Sequence, residues 1–162
     1  MREKLRCMGS ISQGVYVVGV RMGGSYNLMT ASFVAPVSFN PCSIALSVSR
    51  RHYTVDLLRE QGAFALSVLA EGQEEVARRC GCQSGRKTDK SRLVAYDLAE
   101  RGLPVIREAA AYLICKVRQT VDYEDRVLFL AEVEKGSFTE RPPLHYVPRE
   151  FFPPRLEETE GA

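Results

Sequence analysis

Tyr26-Asn27-Leu28-Met29-Thr30-Ala31-Ser32-Phe33-Val34-Ala35-Pro36-Val37-Ser38-Phe39-Asn40-Pro41 decides how this chain is read. The stretch sets small hydroxyl and methyl side chains between a glycine turn (Met22-Gly23-Gly24-Ser25) and a proline. Such a run fills a core strand badly. It leaves main-chain N–H and C=O groups within reach, and those suit the edge of a flat polar ligand.

Working outward, the pattern is strand-rich. Gly14–Arg21 is β-branched and aromatic and leads into the glycine turn, so residues 26–36 read as its return strand, stopped near Pro36. Ser43–Ser49 alternates, with Ile44, Leu46 and Val48 on one face and Ala45, Ser47 and Ser49 on the other. Ala63–Leu69 repeats this with Phe64, Leu66 and Val68. Tyr112–Arg118 and Val127–Glu134 predict two further strands joined by a turn over 121–126. Two short helices interrupt them. Val55–Gln61 lies between Thr54 as N-cap and Gly62 as C-terminal stop. Gln73–Arg79 has acidic residues first and basic residues last, with Glu74–Arg78 and Glu75–Arg79 at i,i+4 spacing. The strands show no regular βαβ alternation, so closure into a barrel is the natural way to hide sheet edges. At 162 residues one domain is expected, its core over about 10–150 and a C-terminal arm over 148–162.

Two features point beyond packing. The second faces of Ser43–Ser49 and Ala63–Leu69 carry only Ala and Ser, where solvated faces normally carry longer polar side chains. Something lies close against them: a ligand, another subunit or one of the chain's own helices. Separately, Ser47-Val48-Ser49-Arg50-Arg51-His52-Tyr53-Thr54 runs from a strand end into a helix start, where free N–H groups, Arg51 and Thr54 favour an anion. Residues 80–92 form the densest basic cluster, with Arg86, Lys87, Lys90 and Arg92 against Asp89, and read either as a solvated loop or as a second anion contact.

Composition excludes several classes. Hydrophobic residues make up 45% and charged residues 26%, which is ordinary for a folded domain. A net charge of +2 is too small to imply nucleic-acid binding. No apolar run approaches the roughly 18–20 residues of a membrane span, and no signal peptide is evident, so a cytoplasmic location is expected. Five cysteines without a secretory signal read as reduced thiols, and Cys80-Gly81-Cys82 lacks the second pair a closed zinc site needs, so no metal is expected. Neither a Walker loop nor a G-x-G-x-x-G motif is present, and no Ser-His-Asp or Cys-His arrangement is evident.

Taken in order and spacing, Asn27–Phe33 with Pro36-Val37-Ser38, then Ser47–Ser49 with Tyr53-Thr54, then Ser84-Gly85-Arg86 with Asp89-Lys90 resemble the flavin reductase-like FMN-binding split-barrel family, flavoredoxin-type members above all. The similarity covers about residues 10–150. It implies a Greek-key split β-barrel, mainly β with short helices, that forms a homodimer holding FMN. It further implies that Asn27, Met29, Thr30, Ala31 and Ser32 meet the isoalloxazine edge, largely through backbone, with Phe33 as aromatic neighbour. Ser47, Val48, Ser49, Arg51, Tyr53 and Thr54 would serve the ribityl chain and phosphate, and Lys90 with Arg86 would pair with the phosphate; His52 stands beside that position. One slot departs from the family: many reductases carry Gly-Asp-His before the last strand, where this chain reads Glu124-Asp125-Arg126. The expected function is electron transfer through FMN, from NADH or NADPH or from a reduced partner, with chemistry carried by the flavin and no catalytic side chain of its own. A flavoredoxin-type carrier without a nicotinamide site and a non-enzymatic binding barrel are the alternatives.

Overall fold

Alternation along the strands sets the architecture. The computed structural model describes residues 1–81 and 87–147. In chain order these form α1 (Arg2–Met8), β1 (Tyr16–Met22), β2 (Ser25–Ala31), β3 (Val34–Phe39), β4 (Cys42–Ser49), α2 (Tyr53–Gln61), β5 (Ala63–Val68), α3 (Glu74–Gly81), β6 (Tyr96–Leu98), β7 (Pro104–Ile106), β8 (Ala111–Tyr123) and β9 (Arg126–Phe138). Seven strands make one antiparallel sheet in the order β2-β1-β5-β8-β9-β4-β3, and β6 pairs with β7 apart from it. The sheet curls: Met29 of β2 and Leu46 of β4, from opposite ends of that order, share one core with Val18, Phe64, Phe129 and Leu58 of α2. The result is a Greek-key split β-barrel with short helices, as the sequence predicts.

The barrel's split has a definite place. β2 and β3 are the two edge strands, yet only Ser32 and Phe33 separate them in sequence. The expected single return strand over 26–36 is therefore two strands, and the chain passes at 32–33 from one sheet edge to the other. Phe33 O accepts from Ser47 N at 2.9 Å, and Ser32 O from Val34 N at 3.1 Å, fixing the crossing. Pro36 is tolerated because β3 pairs only with β4, so the missing N–H can face the open side.

The small-residue faces resolve differently. Ala63 and Ala65 of β5 pack under Leu103 and Val105, and Ser67 Oγ accepts from Ile106 N at 2.9 Å, so the close neighbour there is the chain's own β7 segment and not a helix, a ligand or another subunit. The Ala45, Ser47 and Ser49 face of β4 stays half-exposed.

Helix boundaries shift for identifiable reasons. α2 starts before Thr54, with His52 as N-cap, because the Thr54 hydroxyl is engaged elsewhere: it accepts from Asn27 Nδ2 at 2.8 Å, both residues being buried. Gly62 ends α2 at φ 67°, as a left-handed stop requires. In α3, Glu75 pairs with both Arg78 and Arg79 at 3.3 Å. The expected turn over 121–126 narrows to Glu124-Asp125, and β8 and β9 run on as a solvated ribbon. Its outer residues are held by exposed ion pairs such as Arg50–Asp122 at 2.7 Å rather than by burial.

A Thr54→Val variant should lose about 1–3 kcal/mol in urea unfolding, since Asn27 Nδ2 is left buried without its acceptor. Adding Asn27→Leu should recover part of that loss, because removing both partners costs less than removing one.

Candidate functional site

Two adjoining cavities open at the barrel's split. The smaller, about 160 Å³, is bounded by Thr30, Ala31 and Ser32 at the end of β2, with Val15, His52 and Gly81. The larger, about 360 Å³, lies between α1 and the start of β9, against Leu5, Met8, Gln13, Phe33 and Arg126. Ser32 and Tyr146 border both. The quoted stretch thus reaches the cavities at its middle, residues 30–33, where the sheet has no neighbouring strand to satisfy its edge.

Positive charge collects here. Lys90, in a 3-10 turn over Lys90–Arg92, is 4% exposed and donates Nζ to Cys80 O at 2.8 Å, at the C-terminal end of α3. A cation suits that end of the helix dipole. Burial first, then the charges of Lys90 and Arg126, hold the His52 imidazole below its ordinary pKa. Lys90 and Arg126 thus act on His52 electrostatically, but burial does most to favour its neutral form. Arg126 is fixed on three sides. Its Nε donates to Ser47 Oγ at 2.7 Å and its Nη2 to Ser47 O at 2.8 Å, while its Cζ stands 4.4 Å from the Phe33 ring centroid, within cation–π range. Burial lowers its pKa, a sign of a desolvated charge.

The structure sorts the expected site residues. Thr30, Ala31, Ser32 and Phe33 line the cavities, and Lys90 is coupled to them through His52. The Thr30 hydroxyl donates to Ala77 O at 2.7 Å, tying the strand end to α3. Asn27 and Thr54 are buried against each other beneath the site. Met29 and Val48 point into the barrel core, so only their backbone is available to a ligand, and Tyr53 packs beside that core. Ser47 faces Arg126; Ser49 is half-exposed and Arg51 exposed, and neither borders the two cavities. Arg86 and the C-terminal arm lie outside the described residues, as does Cys82. Arg126, Gln13 and Tyr146 were not among the residues expected from sequence. The signal for Arg126 was the unusual Glu124-Asp125-Arg126 slot itself.

The thiols are chemically quiet. Burial pushes both Cys80 and Cys115 up to about 12, so neither is a thiolate at neutral pH. Among the described residues no cluster of three or more His, Cys, Asp or Glu could hold a metal ion, and no helix is long and apolar enough to cross a membrane.

The chain belongs to the family described as "Flavin reductase like domain", which it matches over residues 8–155. Among solved structures it is similar to the NADH:FAD oxidoreductase SgcE6 of Streptomyces globisporus, at 30% identity and TM-score 0.84, covering 90% of this chain and 88% of that one. SgcE6 has also been solved in complex with NAD and FAD fragments. Flavoredoxin from Methanosarcina acetivorans matches at 29% identity and TM-score 0.75, over 81% of this chain and 71% of that one. The high molecular weight rubredoxin of Moorella thermoacetica is 29% identical over 82% of this chain, which spans 58% of that protein's length.

Proposed function

We propose that the protein binds FMN at the barrel's split and passes electrons from NADH or NADPH, through the flavin, to a small-molecule or protein acceptor. The observation that carries this reading is the open-edged end of β2, Thr30–Ser32, lining one cleft with His52, an imidazole that burial and the charges of Lys90 and Arg126 hold below its ordinary pKa. Lys90 and His52 would hold the phosphate, and the backbone of residues 30–33 would face the ring. When bound, the flavin supplies reversible hydride and electron transfer. The protein's part is to orient it, to exclude water from one face and to set nearby positive charge that favours an electron-rich ring. SgcE6, by name an NADH:FAD oxidoreductase, supports a nicotinamide donor. Exposed Phe39 and Phe138, on β3 and β9, support a homodimer. A cytoplasmic location remains part of the same reading.

The test is colour. Purified protein supplied with FMN should be yellow and should bleach anaerobically with NADH or NADPH. Bleaching by dithionite alone would favour the second reading, a flavoredoxin-type carrier, which Arg126 in the histidine slot supports. Absence of any FMN binding would leave a non-enzymatic barrel.

A charge argument gives a further check. A phosphate beside Lys90 should offset the cations that help burial to depress His52, so the His52 pKa should rise on FMN binding, with proton uptake as the complex forms. In the free protein the sign runs the other way: stability owed to neutral His52 is present above about pH 6.5 and is lost as pH falls through its lowered folded value. NMR titration of His52 reads both; an unmoved His52 places the phosphate elsewhere.

A further inference from the structure

We propose that Arg126 selects the second substrate of the flavin site, and that the cavity between α1 and Phe33 takes a small planar molecule carrying a carboxylate. The proposal rests on the FMN reading above and adds the chemical class of the partner molecule. Nine described arginines form ion pairs with carboxylates. Arg126 forms none, and it is the one described arginine that is both half-buried and without a carboxylate partner. Asp125, its neighbour in sequence, is exposed and acts on it only at a distance.

Its orientation is already set. Ser47 takes Nε and Nη2, and Phe33 covers one face of the guanidinium, which leaves Nη1 for a ligand in the cavity that Arg126 borders. An arginine held this way loses little freedom on binding an anion and matches the two oxygens of a carboxylate. Burial outweighs the pull of the distant Asp125 carboxylate and lowers the guanidinium pKa, as expected of a cation that an incoming anion would relieve. The opposite wall supplies Leu5 and Met8, apolar surface for a flat ring. Gln13 borders the same space, and its Oε1 is the one buried side-chain polar atom without a hydrogen-bond partner among the described residues. A ligand N–H or O–H presented to that amide would remove the cost of an unmet acceptor.

Calorimetric titration with benzoate and with benzamide, on the protein with and without FMN, tests this. Benzoate should bind at least tenfold more tightly than benzamide to wild type, and Arg126→Gln should abolish that preference while FMN affinity, read from flavin fluorescence, stays within about twofold. Arg126→Lys should keep the charge and recover only part of the preference, since an ammonium lacks the planar fork. Equal binding of the two probes to wild type, or an undiminished preference in Arg126→Gln, overturns the proposal. Loss of FMN itself from Arg126→Gln also overturns it, by making Arg126 a flavin contact. Failure of the FMN reading shows separately, as absence of flavin binding by wild type, and the probe preference is then read on the flavin-free protein.

Discussion

A Lys90→Met protein is expected to fold and to emerge from purification without flavin, its FMN affinity reduced roughly tenfold to a hundredfold. The size follows from what the ammonium would do: a charge-assisted hydrogen bond to a phosphate oxygen is worth about 1.5–3 kcal/mol. Folding should survive because methionine keeps most of the buried stem, and replacing a buried charge with an apolar side chain of similar size is often neutral. Among the losses to the fold is the 2.8 Å bond from Nζ to Cys80 O, a contribution of about 1 kcal/mol. Fluorescence titration of FMN, beside a thermal melt, separates the two effects. Unchanged flavin retention would remove Lys90 from the phosphate position.

The largest loss of stability should come from Gly19→Ala, a change of one methyl group. Gly19 is fully enclosed in β1, and a Cβ there would collide with the Pro104 carbonyl oxygen and approach Pro104 Cγ at 2.9 Å. Backbone meets backbone at this contact, so no side-chain rotation gives relief. The strand and the β7 segment must separate, which also loosens Val105 and Leu103 from Ala63 and Ala65. Overpacking of this kind costs about 3 kcal/mol or more. For a chain of this size that corresponds to a fall in Tm of roughly 6–12 °C. A melt within about 2 °C of wild type would mean that β7 moves freely against β1.

The contrast between these two positions shows what sequence could carry. β4 and β5 were legible because buried branched and aromatic residues alternate against small ones, β1 because a β-branched run meets a glycine turn, and α2 because Gly62 punctuates it. The crossing at Ser32-Phe33 was half legible: the odd composition was plain, but Pro36 read as the end of one strand rather than as part of a second. α1 gave no signal, since none of its residues is buried and its apolar positions are few among charged ones. The full length of β8 and β9 was hidden for the same reason, their outer halves being held by ion pairs in solvent. Arg126 was noticed only as a missing histidine. Its role depends on Phe33 and Ser47, which come beside it only once β4 pairs with β9.

The crossing between the two edge strands has a consequence for how such a protein changes over time. Where a ligand meets main chain at an open sheet edge, its contacts are drawn by the path of the backbone and not by residue identity. Substitutions can accumulate along residues 30–32 while that outline persists, provided the barrel still parts at the same place. Positions 33 and 126 are of the other kind, because there only a particular side chain supplies the ring and the charge. On the FMN reading, the hold on the ring and the choice of a partner would then be separable inheritances: the first would rest on the path of the backbone, the second on two side chains that drift can rewrite.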